Sequence, residues 1–580
     1  MKPTFLSLAI LSFLLACRPA PKQSAPPSQA SIFGAKPAPA MCGPITSDRA
    51  WYDESTRAPL FEGMGPLEFP VTTTKELAQQ YVNQGLVLAY GFNHAEAARS
   101  FHYATSLDPT CAMAYWGYAY VLGPNYNAGM EPDNFDRAYE AIQQAVRLSD
   151  DYADERERDL IAAMATRYVA DPPEDRTELD AAYSASMKDL HEKYPEDPDI
   201  GTMYAESIMD LHPWDLFDQE TGVPRPWTGE IMQVLEETLD QHPDHCGAHH
   251  FYIHAVEASP HPERGIPSAR AFDNDLVPNA GHLVHMPSHI YIRTGDYHAG
   301  TEANIRAIEV DSTYVANCHA QGAYPLAYFP HNQHFLAATA TLEGNQQWAL
   351  SAADAVSENA NRQLMREPGW GTLQHYYAIP YYVYPKFAQW EEILKMDNET
   401  PNLPYPTAMY QYARGLAYLH QDSMAKAKQA WEQVHLIAQN QQLRDVTIWD
   451  INTVYDLVQI ADKVLFGQIL AQEGDYKASI AVLQEAVEIE DQLNYNEPPD
   501  WFFSVRHVLG DVQLQAGKYD DAAETFRQDL ERLPKNGWAL NGLVIAYGHL
   551  DAPELQKGAQ REFQEAWKHA DVELEGAKVQ

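Results

Sequence analysis

The stretch Gly467-Gln468-Ile469-Leu470-Ala471-Gln472-Glu473-Gly474-Asp475-Tyr476 decides the fold class of this chain. Its first half has the apolar spacing of a helix, and Gly467 lies where a second helix must approach closely. A turn follows at Gly474, after which apolar residues return at helical spacing through Leu483 and Ala486. The stretch therefore predicts two helices that pack against each other as a hairpin.

The same arrangement of small, aromatic and proline residues recurs along the chain. Small residues let two helices approach, an aromatic ring fills the space between them, and proline ends the second helix. The recurrences are Gly85 with Ala97, Phe101, Ala104 and Pro109; Gly415 with Tyr418, Ala427 and Trp431; and Gly510 with Gly517, Ala522, Phe526 and Pro534. These positions resemble the tetratricopeptide pattern, whose period is about 34 residues. We therefore predict an all-α, right-handed superhelical solenoid of about eight to ten tetratricopeptide-like hairpins.

This solenoid is expected to occupy residues 46–580, with a histidine-rich part over 46–395 and more regular repeats over 408–580. Three longer stretches extend the likeness beyond the generic repeat. They are Asp-Pro-Thr-Cys-Ala-Met-Ala-Tyr-Trp-Gly at 108–117, Gly-His-Leu-Val-His-Met-Pro-Ser-His-Ile-Tyr at 281–291, and Asn-Tyr-Asn-Glu-Pro-Pro-Asp-Trp at 494–501. They resemble stretches of a broad group of bacterial tetratricopeptide repeat lipoproteins. The resemblance implies the fold and assigns no reaction.

The N-terminus has the features of a lipoprotein leader. Lys2 precedes an apolar run over 5–15, which is too short to span a bilayer. The run ends in Leu-Leu-Ala-Cys at 14–17, which resembles a bacterial lipobox, so we expect a signal peptide over 1–17 and lipidation of Cys17. Residues 18–45, rich in proline, alanine and serine, are expected to form a flexible tether. The residue after Cys17 is not aspartate, which favours the outer membrane and attachment through the lipid alone.

Composition restricts the partners of the chain. The formal net charge of -41 is spread along the sequence, which opposes binding to nucleic acid and to anionic lipid surfaces. Four cysteines besides the one in the lipobox stand far apart and form no CxxC pair, so disulfides and buried free thiols are both compatible with their spacing. These cysteines are Cys42, Cys111, Cys246 and Cys318.

Histidines are concentrated between residues 242 and 298. His250 and His254 are four residues apart, and Glu257 follows three later. On a helix these three side chains share one face, where two imidazoles can hold one ion together. The spacing differs from HExxH, so the usual metalloprotease base is missing. Glu257 is then either a third ligand or a partner that fixes a histidine tautomer.

A second group of histidines follows in the next predicted hairpin, where His282, His285 and His289 are spaced at three and four residues. Pro287 lies among them, so that either a helix begins there or a helix is kinked there. Adjacent repeats place equivalent helices side by side, which predicts a divalent transition-metal site for Zn, Fe, Cu or Ni. Its predicted ligands are His250, His254, Glu257, His285 and His289. Structural packing of these histidines and a polar ligand groove are the two alternatives.

Four further residues are candidates for ligand binding. His331 and His334 are possible additional members of the histidine cluster or of a pocket wall. Near the C-terminus, Pro498-Pro499-Asp500-Trp501 has the composition of a helix start, and Trp501 with Arg506 would suit a peptide or a small carboxylate. The alternative is a helix-entry motif that holds two repeats in register.

Two functional hypotheses follow from these patterns. The first is a lipid-anchored scaffold without catalysis of its own, which binds a protein or peptide in its concave groove. The second is a metal-dependent enzyme or metal-binding protein that uses the histidine cluster. A capture protein for a small molecule rests only on the expected address and fold. The sequence has no glycine-rich phosphate loop and no GxSxG motif.

Overall fold

The computed structural model describes residue 52 and residues 57–219, 221–317, 324–501 and 503–579. The expected leader with Cys17 and the tether lie outside this part of the chain, as do Cys42 and Cys318. Cys111 and Cys246 are free and buried, and burial raises the pKa of the Cys246 thiol to about 12. Where the chain is described, it contains no helix with both the length and the apolarity needed to cross a bilayer.

The described residues form α-helices that follow one another along the chain. Those in the first part of the chain are α1 Glu76–Tyr90, α2 His94–Leu107, α3 Ala112–Leu122, α4 Phe135–Tyr152, α5 Glu155–Ala165, α6 Thr177–Lys193, α7 Pro198–Leu211, α8 Thr228–Gln241, α9 Cys246–Glu257, α10 Ile266–Asp273, α11 Gly281–His285, α12 Pro287–Thr294 and α13 Tyr297–Asn317. Those in the second part are α14 Phe329–Glu343, α15 Gln346–Asn359, α16 Gly371–Ala378, α17 Pro380–Lys386, α18 Trp390–Lys395, α19 Pro404–His420, α20 Met424–Ala438, α21 Val454–Gln472, α22 Tyr476–Asp491, α23 Val505–Gln515, α24 Tyr519–Arg532, α25 Gly537–His549 and α26 Pro553–Ala566.

Other regular structure is short. The 3-10 helices are Pro132–Asn134, Pro262–Gly265, Leu364–Arg366 and Gln441–Asp445, and a π-helical turn at Tyr324–Tyr328 leads directly into α14. Strands β1 Thr447–Ile448 and β2 Asn452–Thr453 pair antiparallel with Thr447 opposite Thr453, and β3 Leu574–Glu575 pairs antiparallel with β4 Lys578–Val579. None of these elements interrupts the succession of packed helices.

The glycines named above let consecutive helices approach around one aromatic ring. A β-carbon on Gly85 would lie 2.8 Å from the ring of Phe101, and one on Gly117 would lie 2.2 Å from the same ring. The C-terminal hairpins repeat this packing around Phe526, which is likewise fully buried. Substitution of such a glycine would therefore force the helices apart. This packing confirms the predicted all-α solenoid of tetratricopeptide-like hairpins.

The end of the solenoid packs back against its middle. The Tyr297 hydroxyl donates to the carbonyl of Pro534 at 2.8 Å, and Trp538 Nε1 donates to the carbonyl of Thr341 at 2.9 Å. Two large apolar cores meet near α12, one built mainly from residues before 292 and the other from residues 292–538. The histidine-rich helices lie at this junction.

One predicted helix start is wrong. The prolines at 498 and 499 do not open a helix, because α23 begins only at Val505 and the side chain of Ser504 caps it. Residues 494–501 are irregular. The physical reason is that each proline disfavours helical conformation in the residue before it. This irregular segment lies against α9, as described below.

Candidate metal centre

Helix α9 carries the first histidine pair. The helix begins after His245, whose Nδ1 accepts from the backbone N–H of Ala248 at 3.0 Å. His250 and His254 then lie one turn apart on one face, with 3.1 Å between their Nε2 atoms. His254 Nδ1–H donates to Oε1 of Glu257 at 2.6 Å. The spacing of the three residues thus gives the shared face that the sequence predicts.

The second histidine pair spans the junction of α11 and α12. Helix α11 ends at His285 and α12 begins at Pro287, so the helix-start alternative describes this region. Proline fits the first helical turn because its missing N–H has no intrahelical partner there. Met286, between the two helices, has φ -52° and ψ -33°, so the backbone keeps its right-handed path. The Nε2 atoms of His285 and His289 consequently lie 2.9 Å apart.

Glu257 joins the two pairs. His289 Nδ1–H donates to Oε2 of Glu257 at 2.6 Å, so each carboxylate oxygen accepts from a different pair. Burial raises the pKa of Glu257, but His289 and His254 outweigh that effect and hold the pKa well below its ordinary value. The carboxylate is therefore ionised, and it orients one imidazole of each pair.

The outer imidazole of each pair is oriented by an oxygen that can only accept a hydrogen bond. His250 Nδ1–H donates to the backbone carbonyl of Tyr90, and a β-carbon on Gly247 would lie 2.7 Å from the Tyr90 ring, so this glycine allows the approach. His285 Nδ1–H donates to Oδ1 of Asn304 at 2.7 Å. The Asn304 amide is itself fixed, since its Nδ2 donates to the carbonyl of Gly300 at 2.7 Å. Hydrogen on Nδ1 leaves a lone pair on Nε2 of a neutral imidazole.

These tautomers set lone pairs face to face. Burial lowers the pKa of His250, His254 and His285, which favours their neutral forms. Glu257 carries one negative charge and can balance one imidazolium at most. At least one pair therefore holds two Nε2 lone pairs about 3 Å apart, an arrangement that a cation between them stabilises. Ions that bind histidine at roughly 2.0–2.1 Å hold neighbouring ligands roughly 3.0–3.4 Å apart, close to the spacing seen here.

A third histidine lies beside each pair. The His282 ring is 5.0 Å from that of His250 and the His331 ring is 4.9 Å from that of His285, measured between centroids. Neither ring nitrogen of His282 has a hydrogen-bond partner, and Nδ1 of His331 also has none. Both side chains are buried. His331 is thus placed in the cluster, as the sequence suggested for an additional member.

The centre opens on a cavity of about 630 Å³. A volume of this size suits a small organic ligand. Histidines from both pairs and both third histidines line it, together with aromatic rings and several carboxyl groups that include that of Glu497. The lining includes His254, His282, His289, His331, Tyr126, Trp214, Tyr328, Trp449 and Glu497.

The segment 494–501 connects the cavity wall to the centre. The Tyr495 hydroxyl lies 3.2 Å from Oε2 of Glu257 and 2.7 Å from Oε1 of Glu497. Burial raises the pKa of Glu497 to about 8, and its second oxygen has no hydrogen-bond partner. Residue-by-residue reasoning missed Tyr495 and Glu497; the signal that contained them was the family-like stretch itself.

The other predicted ligand-binding residues lie away from this cavity. His334 is buried further along α14. Trp501 is also buried, with its ring centroid 5.2 Å from that of Tyr382. Arg506 makes a two-pronged ion pair with Asp491 at 2.8 and 2.7 Å. None of the three lines the cavity, and their role in ligand binding stays a prediction.

Comparison with known protein families identifies one repeat in the chain. Residues 463–492, which cover the end of α21 and all of α22, match the family model described as tetratricopeptide repeat. No curated protein matches the chain at a significant level.

Several solved structures overlap the chain over most of its length. One is the human IFIT1 dimer with m7Gppp-AAAA, 12% identical, covering 91% of this chain and 97% of that one with a TM-score of 0.32. Others are the P58(IPK) TPR domain (10% identity, 85% and 99% coverage, TM-score 0.21) and yeast Tom70 (12% identity, 84% and 90% coverage, TM-score 0.25). These TM-scores are too low to indicate a function. The chain thus contains a tetratricopeptide repeat at 463–492, within the all-α solenoid of helical hairpins described above.

Proposed function

We propose that the protein is a metal-dependent enzyme whose transition-metal centre is built from the histidine pairs of α9 and of α11–α12. The observation that carries this proposal is that acceptor-only oxygens hold Nδ1 of each outer imidazole, so the Nε2 atoms of each pair face each other at 3.1 and 2.9 Å and at least one pair has two facing lone pairs. Neutral imidazole ligands suit zinc, iron and copper. A bound ion would supply Lewis-acid or redox chemistry at the cavity wall.

Glu257 acts in this proposal as the orienting partner of two ligands. Both of its oxygens accept from Nδ1–H groups, which leaves the Nε2 atoms free for the ion. Carboxylate–histidine–metal arrangements of this kind fix the ring and raise the basicity of the ligand. The negative charge of Glu257 also offsets part of the charge of a bound cation.

The adjoining cavity supports catalysis over simple metal storage. Glu497 borders the cavity, and Tyr495 links it to Glu257 through hydrogen-bond distances of 2.7 and 3.2 Å. Burial raises the pKa of Glu497 to about 8, so this carboxyl can hold or release a proton near neutral pH. The chain thereby places an acid–base group on the wall of the cavity that the proposed metal ligands also line.

Metal content tests the proposal directly. The full chain is purified without a histidine tag, passed through gel filtration, and analysed by plasma mass spectrometry. We expect transition metal in the wild type and its loss in His254→Ala, with helicity unchanged by circular dichroism. His261→Ala is the matched control, since that side chain is 70% exposed and its ion pair is with Glu263. Metal-free protein from metal-replete cells would falsify the proposal, as would equal metal loss in the control.

We also propose, as a second function, that the solenoid is a lipid-anchored scaffold for a protein or peptide partner. The repeat at 463–492 favours this, because stacked helical hairpins form an extended concave surface. The lipobox-like end of the leader supports attachment to the outer membrane through Cys17, and the net charge of -41 disfavours nucleic acid.

Cross-linking in cells should recover a partner that is lost on truncation of the solenoid, and Cys17→Ser should release the chain from the membrane fraction. Repeated recovery of no partner, or a membrane-bound Cys17→Ser protein, would contradict this second proposal.

A further inference from the structure

The histidines of the centre divide into two sets of three that share no residue. In each set, one side-chain nitrogen from every member lies within 4.8 Å of the others. The sets are His250, His254 and His282, and His285, His289 and His331. We refer to them as the first and the second histidine set. Three imidazoles are the number of protein ligands typical of a catalytic zinc site that keeps an open position.

The two sets are built in the same way along the solenoid. Each has a pair of histidines four residues apart and a third histidine from a helix that follows. In the first set the pair is on α9 and the third is on α11, while in the second set the pair spans α11–α12 and the third is on α14. The succession of helices thus produces the same three-histidine arrangement twice.

The third histidine of each set has no protein partner for a nitrogen that could bind metal. His282 is 2% exposed and both of its ring nitrogens lack a hydrogen bond, and His331 is 8% exposed with Nδ1 unpaired. Buried polar atoms are normally paired, because an unpaired one is costly. A role as a metal ligand in each set accounts for both residues, whereas a single ion held by one set accounts for only one of them.

Both sets border the same cavity. His254 and His282 of the first set and His289 and His331 of the second all line it. Glu257 lies between the sets, one oxygen on His254 and the other on His289, and the two rings are 5.5 Å apart between centroids. A ligand in the cavity would therefore meet both sets at once.

We infer that the centre binds two divalent late transition-metal ions, one in each histidine set, and presents both to one cavity. This inference rests on the proposed function. Two neighbouring ions can clamp different oxygens of one ligand, a device that single-ion sites lack. Glu257 then orients one ligand of each ion, because one carboxylate oxygen accepts from His254 and the other from His289.

Zinc stoichiometry tests the inference. The full chain is stripped with chelator, titrated with zinc chloride, desalted and analysed for zinc per chain. We expect two equivalents for the wild type and for the exposed control His261→Ala, and about one for His282→Ala and for His331→Ala. The double variant His282→Ala/His331→Ala should bind zinc at least tenfold more weakly at both sites.

The outcomes separate this inference from the proposed function. A wild type that binds one equivalent of zinc would overturn the two-ion centre but not the proposed metal centre. A wild type that binds no zinc would overturn both proposals. Retention of two equivalents in both single variants would exclude His282 and His331 as ligands and also overturn the inference. Thermal unfolding of the metal-free variants checks folding, and the wild-type stoichiometry decides the matter even if a variant does not fold.

Discussion

Replacement of Glu257 by glutamine is the sharpest perturbation of the proposed centre. The carboxylate accepts an Nδ1–H from His254 and another from His289, both at 2.6 Å. Glutamine has one acceptor oxygen, and its amide nitrogen can only donate. One of the two imidazoles must therefore lose its acceptor, turn to the other tautomer and direct an Nε2–H at the ion. The other imidazole keeps its orientation.

The size of the effect follows from this asymmetry. Loss of an orienting partner typically weakens metal binding by about 10- to 100-fold, or roughly 1.4–2.7 kcal/mol. We expect that loss at one histidine set and a smaller loss at the other, since the charge of Glu257 is removed from both. Zinc affinity should consequently separate into a strong and a weak phase.

Competition between the protein and a chromogenic zinc chelator measures the two affinities. The matched control is Glu263→Gln, the same exchange at a carboxylate that is 57% exposed and pairs with the exposed His261. The control should bind zinc as the wild type does. Wild-type affinity in Glu257→Gln, or an equal loss in Glu263→Gln, would refute the orienting role of Glu257.

Two further predictions concern proton binding and packing. Because burial raises the pKa of Glu497 from 4.5 to about 8, the folded protein holds a proton that the unfolded chain releases, and stability falls as pH rises between these values. Glu497→Gln should remove roughly 2–3 kcal/mol of the loss between pH 6 and pH 8 in urea unfolding of the metal-free protein, and an unchanged pH profile would contradict this. Gly247→Ala places a methyl group 2.7 Å from the Tyr90 ring, so thermal unfolding should show a loss of about 1–3 kcal/mol, together with weaker zinc binding because the Tyr90 carbonyl leaves His250. The control Gly558→Ala meets nothing within 4 Å and should gain up to about 1 kcal/mol; a Gly247→Ala protein as stable as that control would show that the contact is not tight.

The spacing of residues in the sequence was sufficient to predict the parts of the centre that lie on one helix. His250, His254 and Glu257 share a face because residues three and four apart are neighbours on any α-helix. Spacing was less informative for His282 and His285, which are three residues apart. Three residues rotate a helix by about 300°, so the two side chains point about 60° apart. His282 consequently reaches the α9 pair while His285 pairs with His289.

The rest of the centre depends on contacts between distant parts of the chain. Tyr90 lies 160 residues before His250, and Tyr495 lies 238 residues after Glu257. No local pattern marks either residue, because a backbone carbonyl or a hydroxyl becomes part of a site only when helix packing brings it there. The wrong helix start at 498–501 has the same origin: a proline-rich segment was interpreted from local preference, whereas a distant contact also holds it, since Asp500 accepts from Nδ2 of Asn452 at 2.8 Å.

The contact between Tyr495 and Glu257 restricts how the solenoid can gain or lose hairpins. An open solenoid can gain or lose a hairpin, since each repeat contacts only its neighbours. Here a hairpin inserted or deleted between residues 257 and 495 would rotate and shift everything that follows, and Tyr495 would no longer reach Glu257. The number of repeats in that interval is therefore set by the histidine centre. A contact after α26 adds a further restriction, since Asp571 accepts from the backbone N–H groups of Gln346 and Gln347 and so fixes the number of hairpins between them.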